Sequence, residues 1–192
     1  MTGPEMEIRT TEGCTPFITR RPARVPVHWR EKVKHDLDRD VALGVIEKVP
    51  PGTPVTWLNN MVLSSKQDGS PRRTVDLQSV NKNSVRETHH TIPPFQQVRA
   101  IPKHQVMTCT DAWNGYHAIP IKEEDRHKTT FLTEYGRYRY CRAPMGFLAS
   151  GDAYTHRYDT IVADIPRLAK VIDDSLLHDD VDDLKTHWWR II

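Results

Sequence analysis

From His28 onward an apolar residue falls at every fourth position. Trp29, Val33, Leu37 and Val41 stand among charges, which predicts a helix with one buried stripe that ends at Gly44. Val45, Ile46 and Val49 follow, and Pro50-Pro51-Gly52 then breaks the chain. Beyond the break the apolar runs become short. Met61-Val62-Leu63 and Thr74-Val75-Asp76-Leu77 flank Gln67-Asp68-Gly69-Ser70, whose Asp-Gly pair suits a tight turn, so a β-hairpin is predicted with Arg72 and Arg73 opening its second strand. Pro93-Pro94 places proline in the first turn of a short helix that runs through Ala100. Gln105 to Thr110 reads as a strand that ends at Asp111.

The second half alternates more. His117 to Ile121 and Lys128 to Thr133 are expected strands, separated by the charged turn Glu123-Glu124-Asp125-Arg126. Tyr138 and Tyr140 alternate with Arg137, Arg139 and Arg142, giving a strand with an aromatic face and a basic face. Ala153, Tyr154, Tyr158, Ile161 and Val162 sit at helical spacing within Ser150 to Ile165. Leu168 to Ile172 is a short apolar strand, Asp173-Asp174 forms the turn, Leu176-Leu177 begins the return, and a last helix runs from about Asp180. Residues 1 to 20 show no periodicity and are expected as a poorly ordered lead-in. Strands mixed with helices, rather than alternating strictly with them, predict an α+β fold.

Composition narrows this picture without naming a function. At 192 residues, with 38% hydrophobic and 27% charged residues, the chain can build one domain with a core. The net charge of +2 is too small to announce a nucleic-acid binder, so the distribution of charge must carry that argument. Cys14, Cys109 and Cys141 lack the spacing of a zinc site or disulfide framework, which fits a reducing setting. The ten scattered histidines, His89-His90 and His178 among them, read as surface residues rather than ligands. An apolar leader is absent, and no run approaches the ~18 apolar residues of a membrane span. The expectation is an intracellular chain, in a compartment left open, with no membrane partner.

Acidic pairs are the candidate chemistry. Asp179-Asp180 and Asp182-Asp183 fit a solvated helix start, where acids favour the dipole. Asp173-Asp174 differs, because apolar strand residues bracket it and hold its carboxylates at a hairpin tip. Two metal ions about 4 Å apart need several carboxylates converging on one point, and Asp111 at a strand end is the natural third ligand. By itself Asp111 reads more readily as an ordinary turn former or helix cap before Ala112 than as a ligand.

Ordered blocks of sequence change the weighting. Asp111-Ala112-Trp113-Asn114-Gly115-Tyr116 and Val171-Ile172-Asp173-Asp174 resemble the two palm signatures of retroelement reverse transcriptases. Between them Tyr135-Gly136-Arg137-Tyr138-Arg139-Tyr140 and Ala143-Pro144-Met145-Gly146-Phe147 resemble two further blocks of that family in the same order. Upstream, Lys66-Gln67-Asp68-Gly69, Arg72 to Leu77 and Val80-Asn81-Lys82 resemble the fingers hairpin and its continuation. The likeness is to gypsy-type LTR retrotransposons, whose reverse transcriptase lies within a Pol polyprotein, and several ordered blocks are far more specific than any one.

The resemblance implies the fingers and palm of a right-hand polymerase: a lead-in at 1–20, fingers at about 21–85 and 122–150, and a palm at about 86–121 and 151–192 with a mixed or antiparallel sheet packed on helices. It implies an RNA-directed DNA polymerase, a nucleotidyltransferase that adds dNTPs to a primer 3′-hydroxyl on an RNA or DNA template. Asp111, Asp173 and Asp174 would be the catalytic acids and hold two Mg²⁺ ions, with Mn²⁺ a substitute. Lys66 and Arg72 match cations that contact the incoming triphosphate, Tyr116 matches the ring that excludes a ribose 2′-hydroxyl, and Met145 lines the nucleotide sugar. Gly146, Val171, Arg137, Arg139 and Arg142 fall at template-primer contacts. Val171 stands where the family has an aromatic residue, Met145 where it has Gln or Phe, and Ala143 where it has Leu. A thumb and RNase H parts are absent, so a fragment is expected. The competing reading is a catalytically silent remnant that binds nucleic acid through the Arg137, Arg139 and Arg142 strand and the tyrosines between them.

Overall fold

The computed structural model describes every residue except Thr2, Glu87, Asp173 and Ile192. It is an α+β protein that divides into two compact units, Met1–Glu87 with Tyr116–Ser150 and Thr88–Gly115 with Gly151–Ile192. Compared with the fingers and palm ranges read from sequence, the first unit also takes in residues 1–20 and 116–121. Among the described residues no helix is long and apolar enough to cross a membrane.

The first unit is built on a mixed five-stranded sheet in the order β1-β6-β5-β2-β3, from β1 (Ile46–Lys48), β2 (Asn59–Ser65), β3 (Pro71–Asp76), β5 (Phe131–Thr133) and β6 (Gly136–Tyr140). The β2/β3 hairpin is the one expected, with Gly69 at φ 77°, where a side chain would be strained. Tyr138 and Tyr140 alternate inward along β6, and Phe131 of β5 lies against both rings at 5.8 and 5.6 Å. Helix α1 (Arg30–Ala42) buries Val33 and Leu37, and its third buried position is Asp40. Gly44 at φ 64° stops it, which leaves Val45 to donate back to the Asp40 carbonyl. A short α2 (Gln78–Lys82) follows β3, with Asp76 accepting the Gln78 N–H.

Two expectations of secondary structure are corrected in this unit, and the lead-in is tied down at a few points. Within residues 1–20, Met6 and Ile8 are buried, Met6 bridges to Ile121, and Ile8 is held by Asp125 and Lys128, while most other described residues of the stretch are exposed. Long-range partners of that kind leave no periodicity to read. His117 to Ile121 is not a strand but a 3-10 turn (Gly115–Ala118) followed by single bridges, since Pro120 has no N–H to donate to a ladder. Glu123–Thr129 is a 3-10 helix rather than a turn, so the next strand begins only at Phe131.

The second unit carries a three-stranded antiparallel sheet in the order β4-β8-β7, from β4 (Gln105–Asp111), β7 (Leu168–Val171) and β8 (Asp174–Asp180). Ser175, Leu177 and Asp179 alternate as the buried face of β8, while Asp174 and Asp180 are exposed. Helix α3 (Pro94–Ala100) borders β7, where the Gln97 amide bonds both the N–H and the carbonyl of Lys170 at 2.7 and 2.5 Å. Helices α4 (Leu148–Val162) and α5 (Leu184–Ile191) complete the set. Tyr154 of α4 is buried, and α5 leaves Leu184, Trp188 and Trp189 exposed.

Candidate active site

β4 and β8 run antiparallel over seven paired positions, and the pairing ends with Asp111 opposite Asp174. Directly opposed residues place their Cβ atoms on one face, roughly 4.5–5.5 Å apart. Asp111 shares that face with Met107 and Cys109, all exposed. Val171 of β7 pairs with Asp174, so Asp111, Asp174 and Val171 form one row across the sheet end. Neither the Asp111 nor the Asp174 carboxylate has a hydrogen-bond or ion-pair partner among the described residues. Asp173, the remaining acid of the sequence reading, lies outside the described residues. Among those described, no group of three or more His, Cys, Asp or Glu side chains could hold a metal ion, so the row itself offers two carboxylates.

Two features hold this row. Ser175, next to Asp174, is buried and shares a 2.5 Å hydrogen bond with the Tyr158 hydroxyl. Ile172 sits at φ 58° in the hairpin between β7 and β8, a left-handed conformation that a β-branched residue adopts only under strain. After Asp111 the chain turns through Ala112 to Gly115, closed by the Gly115 N–H to the Ala112 carbonyl at 3.2 Å. Gly115 has no room for a side chain, since a Cβ there would lie 2.8 Å from the Tyr154 ring. Tyr116, next in sequence, is half-buried in the first unit.

The cations divide sharply. On β3 the residues Pro71, Arg73 and Val75 face inward, so Arg72 must face out, because side chains alternate along a strand. Arg73 is the inward anchor: its side chain is 9% exposed, it pairs with Asp40 of α1, and it lies 5.9 Å from the Phe131 ring centre. Breaking such a buried pair costs about 3–5 kcal/mol, since it strands a charge. Arg72 and Lys66 are exposed, and no carboxylate among the described residues pairs with either. Arg137, Arg139 and Arg142 are instead tied to the protein. Arg137 donates to the carbonyls of Thr53 and Pro50, Arg139 pairs with Glu47 at 2.5 Å, and Arg142 donates to the His117 carbonyl. Tyr138 and Tyr140 are buried, which corrects the competing reading that bases would stack on them.

Met145 is exposed and Gly146, at φ 87°, begins the descent to buried Phe147. A residue that sequence reading did not single out holds this turn. Asn81 of α2 donates to the Gly146 carbonyl at 2.8 Å and accepts from the Leu148 N–H at 3.0 Å, so one amide brackets Gly146 and Phe147. The Asn81 block was visible as a motif, but its partners are remote in sequence. Two further surprises are polar. Asp179, read as a solvated helix-start acid, is buried in β8, and His187, read as a surface residue, is buried on α5 and bonded to it at 2.8 Å. His117 is partly buried. Burial lowers its pKa, the Asp40 carboxylate opposes this, and Arg73, Arg142 and Arg39 add to the lowering.

The chain aligns with the Pol polyprotein of the Drosophila melanogaster transposon opus at 27% identity over 192 residues, 97% of this chain and 18% of that protein. It matches the Pol polyprotein of transposon gypsy from the same organism at 26% over 113 residues, and the Pro-Pol polyprotein of simian foamy virus type 1 at 29% over 116 residues. Its homologues are retrovirus-related Pol polyproteins. No protein-family model matches the chain. Among solved structures, a foamy viral protease-reverse transcriptase in complex with double-stranded DNA superposes with a TM-score of 0.84 at 19% identity, covering 99% of this chain and 32% of that one. The same enzyme with an RNA/DNA hybrid gives 0.82 at 19% identity. The fold is therefore that of a reverse transcriptase, and the chain spans less than a fifth of each of these three polyproteins and less than a third of each of these two solved chains.

Proposed function

We propose that the chain forms the fingers and palm of a retroelement reverse transcriptase and adds dNTPs to a primer 3′-hydroxyl on an RNA or DNA template. The observation that carries this reading is the register of Asp111 and Asp174: two exposed carboxylates side by side at a sheet end, without partners among the described residues, in a chain homologous to Pol polyproteins. Two such charges at close range repel, and a hard divalent cation with oxygen ligands relieves that repulsion, so the donor set fits Mg²⁺. Asp111 and Asp174 would hold it, joined by Asp173 on the family pattern. Mg²⁺ bound there would stabilise charge on the attacking and leaving oxygens.

The other residues position the substrates. Arg72, turned outward by the Arg73 anchor, offers a planar fork to triphosphate oxygens, and Lys66 at the hairpin turn offers a point charge. Tyr116 would exclude a ribose 2′-hydroxyl by bulk, and Met145 would line the sugar. Gly146 and Val171 would lie along the template-primer. The occupied guanidiniums of Arg137, Arg139 and Arg142 have fewer donors to offer a phosphate. The foamy viral relatives' complexes with DNA and RNA/DNA hybrid support a nucleic-acid partner.

Primer extension with Mg²⁺, dNTPs and a defined template tests the reading. Wild type should extend, and Asp111→Asn should lose at least about 100-fold in rate while keeping most of its template affinity, because a metal ligand is removed and no cation is. Equal extension by both proteins, or equal loss of binding and extension, would reject the assignment of Asp111.

A further inference from the structure

Helix α3 borders the outer edge of β7, yet none of its seven residues is buried, and Ile92 before it, Phe95 and Val98 are exposed. Apolar burial therefore does not hold the helix there. The Gln97 amide does. It accepts from the Lys170 N–H at 2.7 Å, donates to the Lys170 carbonyl at 2.5 Å and donates to the Ile92 carbonyl at 2.9 Å, so both amide hydrogens and the amide oxygen are in use. The side chain thus stands in for one peptide of a further strand, bonding the outward N–H and C=O of a single edge residue as a ladder neighbour would. The Lys170 side chain is held too. Its ammonium pairs with Asp159 of α4, donates to the Thr155 carbonyl at 3.1 Å and lies 4.9 Å from the centre of the Tyr158 ring, and the Tyr158 hydroxyl bonds Ser175, the residue opposite Lys170 on β8.

We propose that Gln97 is a positioning residue for the acid row, acting through the backbone of β7 to fix the edge strand one residue before Val171, so that Val171, Asp174 and Asp111 keep their register. This rests on the polymerase reading, which gives the row its chemistry. The need for a clamp is local. Val171 ends β7, and Ile172 after it holds a left-handed backbone at φ 58°, a conformation that persists only where the surroundings fix both arms of the turn. On the β8 arm the bond between Ser175 and Tyr158 does this. The β7 arm has no strand on its outer side, and there the Gln97 amide takes that place. A two-metal site tolerates displacement poorly, since a shift of about 1 Å at the reacting atoms costs roughly 100-fold in rate. These Gln97 bonds all go to backbone atoms, so their loss should appear in turnover rather than in binding.

The test compares wild type, Gln97→Ala, Gln97→Glu, Phe95→Ala and Asp111→Asn in the 192-residue chain by steady-state primer extension, with amide hydrogen exchange followed by NMR on the same proteins. Gln97→Glu keeps the acceptor for the Lys170 N–H but sets a carboxylate against two carbonyl oxygens, whereas Phe95→Ala trims an exposed residue of the same helix. Both Gln97 variants should lower kcat by about 10- to 100-fold, with the KM for dNTP and the primer-template affinity within about twofold of wild type. Phe95→Ala should match wild type. In Gln97→Ala the Lys170 amide should exchange about 5- to 10-fold faster, as expected for one net hydrogen bond, while the amides of β4 keep their rates. A general loss of stability would instead speed β4 and β7 alike. Unchanged kcat in the Gln97 variants, an equal loss in Phe95→Ala, or a raised KM at constant kcat would overturn the proposal. So would a Lys170 amide that exchanges at the wild-type rate in Gln97→Ala, or β4 amides that speed up with it. If wild type extends in a manner that depends on Asp111 and the Gln97 variants keep its kcat, the positioning role alone falls. If wild type does not extend, or Asp111→Asn extends equally, the polymerase reading falls and takes the positioning role with it.

Discussion

At the scale of single residues, the backbone at Ile172 is the clearest sign of strain. A left-handed conformation costs an L-residue about 1–2 kcal/mol, most of all one branched at Cβ, whereas asparagine tolerates it. Ile172 is 48% exposed, so little burial would be lost on replacement. Ile172→Asn is therefore expected to stabilise the chain by about 1 kcal/mol, read as a higher urea midpoint with an unchanged slope. A lower midpoint would show that the Ile172 side chain contributes more than the strain removes. Arg73 illustrates a different point. Its charge is spent beneath the sheet on Asp40, and that inward commitment is what turns its neighbour Arg72 outward.

Between elements, individual side chains act as pins. The Asn81 amide joins α2 to the turn that presents Met145, using a donor and an acceptor at once. Asn81→Ala is expected to raise the KM for dNTP by roughly tenfold, about 1.4 kcal/mol, with little change in primer-template affinity, since it loosens the turn and removes no phosphate contact. Asn81→Asp keeps the acceptor but loses the donor, and should fall between the two; a fall in kcat at constant KM would point away from nucleotide positioning. In the second unit α5 is pinned to the sheet by His187, which bonds Thr108 at 2.9 Å and Asp179 at 2.8 Å, and by Arg190, which pairs with Asp179. Burial alone would raise the Asp179 pKa, but the bonds from His187 and Arg190 and the Arg190 charge outweigh it and hold the carboxyl below its ordinary value. A depressed folded-state pKa means that the unfolded chain binds protons first. The Asp179 contribution is thus fully present above the unfolded value of about 4 and is lost as pH falls through the lower folded value. Asp179→Asn should destabilise the protein at pH 7 and flatten the acid limb of its stability profile below about pH 4, as followed by circular dichroism during urea unfolding. An unchanged acid limb would assign that limb to other carboxylates.

For the whole molecule the question is how many cations remain to grip a nucleic acid. Net charge is +2, and of the five basic residues the family pattern places near nucleotide or template, Arg137, Arg139 and Arg142 are engaged within the protein. Lys66 and Arg72 remain. Each neutralised phosphate of a duplex contributes about −0.9 to the slope of log affinity against log salt, so release of the three arginines would add about −2.7, whereas Lys66 and Arg72, proposed for the incoming triphosphate, add nothing to it. Binding should accordingly be weak and only shallowly dependent on salt. A measured slope of about −2.7 or steeper would mean that the three arginines abandon their present partners on binding.

Much of the architecture could be read in advance because its causes are local. The stripe Val33 and Leu37 and the stop at Gly44 define α1, the Asp68-Gly69 turn defines the β2/β3 hairpin, and the apolar brackets around the acid pair define β7 and β8. The strand ending at Asp111 is equally legible, and the ordered motifs are what single out Asp111, Asp173 and Asp174 as candidates. What the chain alone could not decide was which charges are spent inside. Asp40, Arg73, Asp179 and His187 look like surface residues in any local window, and they are buried only because partners far away in sequence satisfy them. The same holds for residues 3 to 18, whose sparse apolar side chains acquire meaning through bridges to Ile121, Ser84 and Leu58. Local periodicity determines which elements form. The pairing of Asp111 with Asp174, the outward turn of Arg72 and the bonding of Gln97 to the edge of β7 are set by strand register and long-range packing, which only the tertiary structure supplies.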